Sequence, residues 1–314
     1  MRRTIPLSEK RFDGRVAVIT GAGGGLGFEH ARLFASRGAH VVINDIGGSV
    51  TGDGSDRGAA QRAADEIIAL GGSAVADANS VSTPAGAAEL IETALEAFGG
   101  VDIVVNNAGI LRDKSLLKVK PNDFRAVLDV HLLGTFLVTQ AAFGHMRAKG
   151  YGRFVNTASP AGLYGNFGQA NYSAAKAGIV GLTRTVSIEG AKFGISANAI
   201  SPAAHTRMTE NLLGQLFDGA SADVLDAAKV SPVVAWLSHE DTDVTGQVFG
   251  TAGGLVTKVF IAETKGIFEA NPTIENIAAR EAEILDEQGY LVPEDVGASM
   301  APLLEHYASN VGQL

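Results

Sequence analysis

Short runs of apolar, largely β-branched residues recur along the chain, and most are followed by stretches whose apolar positions return every three to four residues. VAVIT (Val16–Thr20) is the first such run, and it predicts a strand buried on both faces. A helix is predicted over Phe28–Arg37, then a second strand over His40–Asp45. The same rhythm gives a helix over Gln61–Leu70, a strand over Ser73–Asp77, a helix over Ala85–Phe98 and a strand over Val101–Val105. A long helical region from Pro121 to Lys149 precedes the strand Arg153–Thr157. A helix carrying Tyr172 then runs to about Lys192, and Ile195–Ile200 reads as a further strand. Strands alternating with helices imply an α/β fold, a parallel sheet with helices on both faces.

Two stretches depart from the rhythm. Gly47–Gly58 is dense in Gly, Asp and Ser and predicts a mobile loop after the second strand. From about Phe260 the alternation ends, and residues 272–288 and 293–308 each predict a helix opened by a proline near its first turn. The expected organisation is one nucleotide-binding domain over 1–259 and a C-terminal extension over 260–314.

Composition narrows the classes. With 46% hydrophobic residues in 314, a sizeable core is available and wholesale disorder is excluded. No apolar run is expected to span a membrane, and the N-terminal residues lack the apolar segment of a secretory signal. Cysteine is absent, which removes disulfides and thiolate metal sites and fits a reducing compartment. A net charge of −9 argues against nucleic acid as a partner.

The glycine-rich Gly21–Gly27 lies between a predicted strand and a predicted helix. There glycines permit a tight turn and let backbone N–H groups approach a pyrophosphate. Asp45 ends the second strand 18 residues after Gly27, near the spacing of a ribose-binding carboxylate. It would repel a 2′-phosphate, and no Arg or Lys immediately follows to welcome one, so NAD is expected over NADP. Asn107, Ala108 and Gly109 follow the fourth strand, where they would let backbone pass close to the cofactor and lock neighbouring loops. Tyr172 and Lys176 are four apart and share a helix face, and Ser159 precedes Tyr172 by 13 residues across a glycine-dotted segment. A lysine beside a tyrosine is expected to lower the phenol's pKa. The phenolate can then take a proton from an alcohol held by the serine hydroxyl.

In this order, TGAGGGLG, NNAG, Ser159 and YSAAK resemble the short-chain dehydrogenase/reductase family over residues from about 14 to 255. The resemblance implies a doubly wound Rossmann sheet, catalysis by Ser159, Tyr172 and Lys176, and no metal. It implies dinucleotide contacts from Gly21, Gly25, Leu26, Gly27, Asp45, Asn79, Ser80, Asn107, Ala108, Gly109, Tyr172 and Lys176. Pro202 and Thr206 match the family's loop over the nicotinamide, with Ala203 where the family usually has glycine. His131 stands where the family usually has an asparagine whose carbonyl holds a relay water, so His131 is a further catalytic candidate, by backbone or by imidazole.

RFDGRVAVITGAGGGLG, VVINDIGG, LRDKSLLK, DVHLLGTF, GLYGNFGQANYSAAKAG and RMTE are similar to a narrower branch, the (3R)-hydroxyacyl-CoA dehydrogenase units of multifunctional β-oxidation enzymes. That branch implies NAD-dependent oxidation of an acyl-CoA or steroid-CoA, in a homodimer or homotetramer. A hydroxysteroid dehydrogenase acting on a ring hydroxyl and a non-catalytic NAD-binding scaffold are the alternatives. VGQL is not a peroxisomal address of the SKL type, so the resemblance leads to the expectation of a cytoplasmic relative. Because the chain is acidic, CoA phosphates would need local cations, and Arg112, Lys114, Lys118, Lys120 and Arg207 are the candidates.

Overall fold

The computed structural model describes residues 8–56, 58–205 and 222–310. Strands β1 (Val16–Thr20), β2 (His40–Asn44), β3 (Ser73–Asp77), β4 (Ile103–Asn106), β5 (Gly152–Thr157), β6 (Ile195–Ala203), β7 (Val248–Ala252) and β8 (Leu255–Val259) form one sheet in the order β3-β2-β1-β4-β5-β6-β7-β8. β1 to β7 pair in parallel. β7 turns into β8 through Gly253 and Gly254, both at positive φ, in the two-residue link that suits a hairpin. The strand order reverses direction between β1 and β4, and ligands of such sheets bind beside that reversal, at the carboxyl ends of the strands.

Successive strand residues face opposite sides, so the sheet carries two cores. Ala17, Ile19, Val41 and Ile43 meet one face with Ala31 and Phe34 of α1 (Gly25–Ser36) and Val234 and Leu237 of α8 (Ser231–Ser238). α2 (Gly58–Ala69) lies on this face through Ala60, Ala63, Ala64 and Ile67. Val16, Val18, Val42 and Val104 meet the other face with Leu90, Ile91 and Ala94 of α3 (Pro84–Phe98). Leu137, Val138, Ala142 and Met146 of α5 (Gly134–Lys149) and Val186 of α7 (Ala170–Gly190) complete it.

The region predicted as one helix from Pro121 to Lys149 is α4 (Pro121–Leu128), a π turn (Asp129–Leu133) and α5. Contrary to the expectation of no membrane-length run, this segment is long and apolar enough to cross a bilayer by length and composition. Its buried face packs on the sheet, as a core helix does.

On the amino-end edge of the sheet, the fully buried carboxylate of Asp102 accepts from Val16 N (3.0 Å), Arg15 (3.3 Å) and Lys149 (2.5 Å). Arg15 also pairs with Glu240 at 2.6 Å.

The chain divides into two compact units, Met1–Lys258 and Val259–Leu314. In the second, the helix expected over 272–288 begins after Pro272, where Thr273 and Asn276 form a capping box, and breaks at Arg280 into α9 (Ile274–Ala279) and α10 (Glu281–Ile284). α11 (Val296–Asn310) is opened by Asp295, whose carboxylate accepts from Ala298 N, and holds Pro302 inside it. Proline therefore opens neither helix; short polar side chains cap both.

Candidate active site

The glycine turn after β1 is held by β4. Asn107 donates from Nδ2 to the carbonyls of Thr20 (3.0 Å) and Gly21 (3.1 Å), and the Thr20 hydroxyl accepts from Asn107 N and Ala108 N, both at 3.0 Å. The expected locking role of NNAG is thus present, and the glycines are needed for it. A Cβ on Gly21, which has φ +63°, would lie 2.8 Å from Ala108 Cα, and one on Gly27 would lie 2.4 Å from Gly21 O.

Asp45, just past β2, accepts from Gly23 N (2.9 Å) and Gly47 N (2.7 Å), which fixes its carboxylate at the turn. Gly21, Gly25, Leu26, Asp45, Asn79, Ser80, Asn107, Ala108 and Gly109 line one cleft of about 390 Å³. Gly27 lies behind it as a packing glycine. A glycine cradle with a fixed carboxylate at the start of a helix fits the pyrophosphate and adenosine ribose of a nicotinamide dinucleotide.

Residues 46–56, within the stretch expected as a mobile loop, are bonded to the loop after β4. Val50 O accepts from Leu111 N (2.8 Å), Thr51 O accepts from Arg112 Nε (2.9 Å), and Gly52 seats against Ile110. They form a strap from β2 to the loop after β4, with Gly48, Ser49, Val50 and Gly52 lining the cleft. The glycine density was visible in the sequence, but the partners lie about 60 residues away and no local pattern marks them.

The reacting groups all come from the connection between β5 and β6. Ser159 follows β5 and caps α6 (Pro160–Tyr164), its Oγ accepting from Ala161 N at 3.2 Å. α6 lies so close to α7 that a Cβ on Gly162 would be 2.6 Å from Lys176 Cβ. Tyr172 and Lys176 stand one turn apart on α7, with Lys176 Nζ 5.5 Å from the Tyr172 ring centre and donating to Thr157 O at 2.5 Å. None of the three lines the 390 Å³ cleft; they stand beyond Gly109 and His131.

The electrostatics correct one expectation. Burial pushes the Tyr172 phenol up to about 12, the Ser159 hydroxyl opposes this by hydrogen bonding, and the Asp113 carboxylate adds to it. Burial brings the Lys176 ammonium down to about 7. In this state the serine, not the lysine, favours the phenolate. Burial weakens the hold of Lys176 on its proton, and its charge is felt at His131 rather than at the phenol.

His131 sits in the π turn with its ring edge-on to Tyr172, centres 5.1 Å apart. Its Nε2 lies 2.8 Å from Ile110 O and 3.0 Å from Ile110 N, and its carbonyl accepts from the Thr135 hydroxyl at 2.7 Å. Burial, then the Lys176 charge, hold this imidazole neutral, far below its ordinary value. Gly109 has no side chain because His131 Cε1 would lie 2.3 Å from its Cβ.

Pro202 is in β6, which continues through Ala203 in register with β7, so the alanine in place of the family's glycine extends the strand. Thr206 and Arg207 lie outside the described residues. Two site residues escaped the sequence reading. The Asp113 carboxylate accepts from Gln169 Nε2 (2.7 Å), and Asn171 donates to Arg112 O (3.0 Å) while its Oδ1 accepts from Tyr172 N (2.8 Å). LRDKSLLK and GQANYSAAK were both visible as motifs, but nothing in either marks them as partners.

The sequence pattern of the family described as short chain dehydrogenase matches residues 15–216. The chain belongs to that family. It is an oxidoreductase acting on a CH–OH group with a nicotinamide dinucleotide, NAD or NADP. It is 52% identical over 256 residues to the peroxisomal multifunctional enzyme type 2 of Drosophila melanogaster, covering 82% of this chain and 42% of that protein. The structure of the full-length fly enzyme matches with a TM-score of 0.79 and 40% identity, over 96% of this chain and 50% of that one. The chain thus spans half or less of that relative. The hydroxyacyl-CoA dehydrogenase ChsB1 of Mycobacterium tuberculosis is 42% identical over 275 residues, covering 83% of this chain and 84% of that protein.

Proposed function

We propose that this protein oxidises a (3R)-3-hydroxyacyl-CoA, with a fatty or steroid side chain, to the 3-ketoacyl-CoA in β-oxidation, and that its cofactor is NAD. The observation that carries the reading is the grouping of Ser159, Tyr172 and Lys176 beside a dinucleotide cleft. Similarity to a hydroxyacyl-CoA dehydrogenase along most of both chains supports the substrate class. Asp45 supports NAD, since its anchored charge faces the place of a 2′-phosphate.

Ser159 Oγ holds the substrate oxygen by a hydrogen bond. Tyr172 Oη, as phenolate, takes the hydroxyl proton; a nicotinamide dinucleotide held at the glycine turn and Asp45 would supply the hydride acceptor. Burial raises the phenol to about 12, and the Ser159 hydroxyl is the group that favours its ionisation. Lys176 braces the site through Thr157 O, and His131 acts as a neutral post between Ile110 and the tyrosine ring.

Of the cations expected at CoA, Arg112 is engaged with Thr51 O, Asp123 and Asp53 and is withdrawn from that role. Lys114, Lys118 and Lys120 are exposed and form no ion pair among the described residues, so they stay in it. A homo-oligomer belongs to the same reading, supported by exposed Leu133, Phe136 and Ile188 beside and on the long helices.

NADH formation over hydroxyacyl-CoA esters, a thioester lacking the nucleotide and ring hydroxysteroids tests the substrate. Faster turnover of the steroid than of every CoA ester would transfer the reading to a hydroxysteroid dehydrogenase. Tyr172→Phe should lower kcat by roughly 10²–10⁴ with NADH binding retained. Near-normal turnover by this variant would remove the tyrosine from the mechanism.

A further inference from the structure

Residues 111–114 face two ways. Towards the cleft, Leu111 N donates to Val50 O and the Arg112 guanidinium grips the strap. Its Nε donates to Thr51 O at 2.9 Å and its Nη2 lies 3.5 Å from Asp53. Nη1 is held by Asp123 of α4 at 3.1 Å, so the guanidinium is fixed from behind. Towards the catalytic helix, Arg112 O accepts from Asn171 Nδ2, and Asn171 Oδ1 accepts from the backbone N–H of Tyr172. One residue therefore touches the cover of the cleft with its side chain and the start of α7 with its carbonyl. Of these side-chain bonds the one to Asp123 is part-buried, whereas those to Thr51 O and Asp53 lie at the exposed surface, so Asp123 is the firmer anchor.

We propose that Arg112 is a positioning residue that couples occupancy of the dinucleotide cleft to the placement of Tyr172. Ligand in the cleft packs against Val50 and Gly52 and settles the strap. The settled strap holds the guanidinium, and the same residue's carbonyl holds Asn171 and through it the tyrosine. A planar fork with fixed N–H directions transmits position, whereas a lysine at the same place would supply only charge. The phenol is then in register before the hydroxyacyl substrate arrives.

This inference rests on the cleft being a dinucleotide site, and ADP is the probe that separates the two. ADP fills the adenosine side, and none of residues 168–173 lines that cleft, so any effect of ADP there is transmitted. Hydrogen exchange is measured by peptide with and without saturating ADP in the wild-type chain and in Arg112→Met. The expected result is slower exchange at 20–27 and 46–56 in both proteins. At 168–173 slowing is expected in the wild type only, by about fivefold or more, the lower end of ordinary coupling between sites. If Arg112→Met fails to fold, Arg112→Lys keeps a cation between the carboxylates, lacks the fork, and should show the same loss. Equal slowing at 168–173 in wild type and variant, or none in either with 20–27 protected, would overturn the coupling and leave the cofactor site standing. No protection at 20–27 in the wild type would overturn the dinucleotide reading and the coupling with it.

Discussion

Tyr172 is surrounded by groups that disagree about its proton. Burial and the Asp113 carboxylate hold the phenol protonated, and the Ser159 hydroxyl favours the phenolate. Alcohol oxidation needs the phenolate, so its rate should climb as pH rises towards the phenol's pKa. Asp113→Asn keeps an acceptor for Gln169 but removes the negative charge that raises the phenol. Ionisation then begins at lower pH, and the alkaline climb of kcat/KM for oxidation is expected to move to lower pH; a profile that stays put would show that Asp113 does not act on the tyrosine. At the other end of the site, Asp45→Ala should weaken NAD binding and narrow the preference over NADP, because the repulsion of a 2′-phosphate is gone. Unchanged kinetics with both cofactors would place the ribose elsewhere. The grouping of Tyr172, Lys176 and Ser159 and the place of Asp45 beside the glycine turn were legible because they follow from local spacing. Asp113 was not, since its effect exists only once the loop after β4 lies against Gln169.

At the scale of elements, the strands were readable because a buried parallel strand is a short unbroken apolar run. β3 was located to the residue, whereas α1 begins at Gly25, earlier than its apolar pattern suggests. Helix propensity disfavours glycine there by about 1 kcal/mol relative to alanine, and close packing overrides it. Gly27→Ala tests that balance. The propensity gain of about 1 kcal/mol competes with a Cβ 2.4 Å from Gly21 O and 2.7 Å from Asn107 Nδ2, and overpacking of this kind costs about 1–3 kcal/mol. A lower melting temperature and weaker dinucleotide binding are expected. Gly144→Ala, on the exposed face of α5 with nothing within 4 Å, should instead raise the melting temperature. If both variants gain stability, the glycine turn is looser than described. The π turn was illegible for a related reason. It interrupts an apolar pattern that continues on both sides, and only the seating of His131 beside Gly109 and Tyr172 marks its place.

Over the whole molecule, the described groups assigned to chemistry lie on the loops and helices that follow the carboxyl ends of the strands, an arrangement the strand order favours. The opposite edge carries the Asp102 network, which ties the segments entering β1, β4 and β5. Asp102→Ala leaves the buried N–H of Val16 and the Lys149 ammonium without their partner, while Arg15 keeps Glu240, and should cost about 1–3 kcal/mol of stability. NAD affinity of the folded variant should not change, and a parallel loss of affinity would mean that the two edges are not independent. That separation bears on how the chain tolerates change. Substitutions that retune the loops for a new alcohol draw on a reserve of stability held on the far side of the sheet, so a scaffold strengthened around Asp102 could accept more of them before it unfolds.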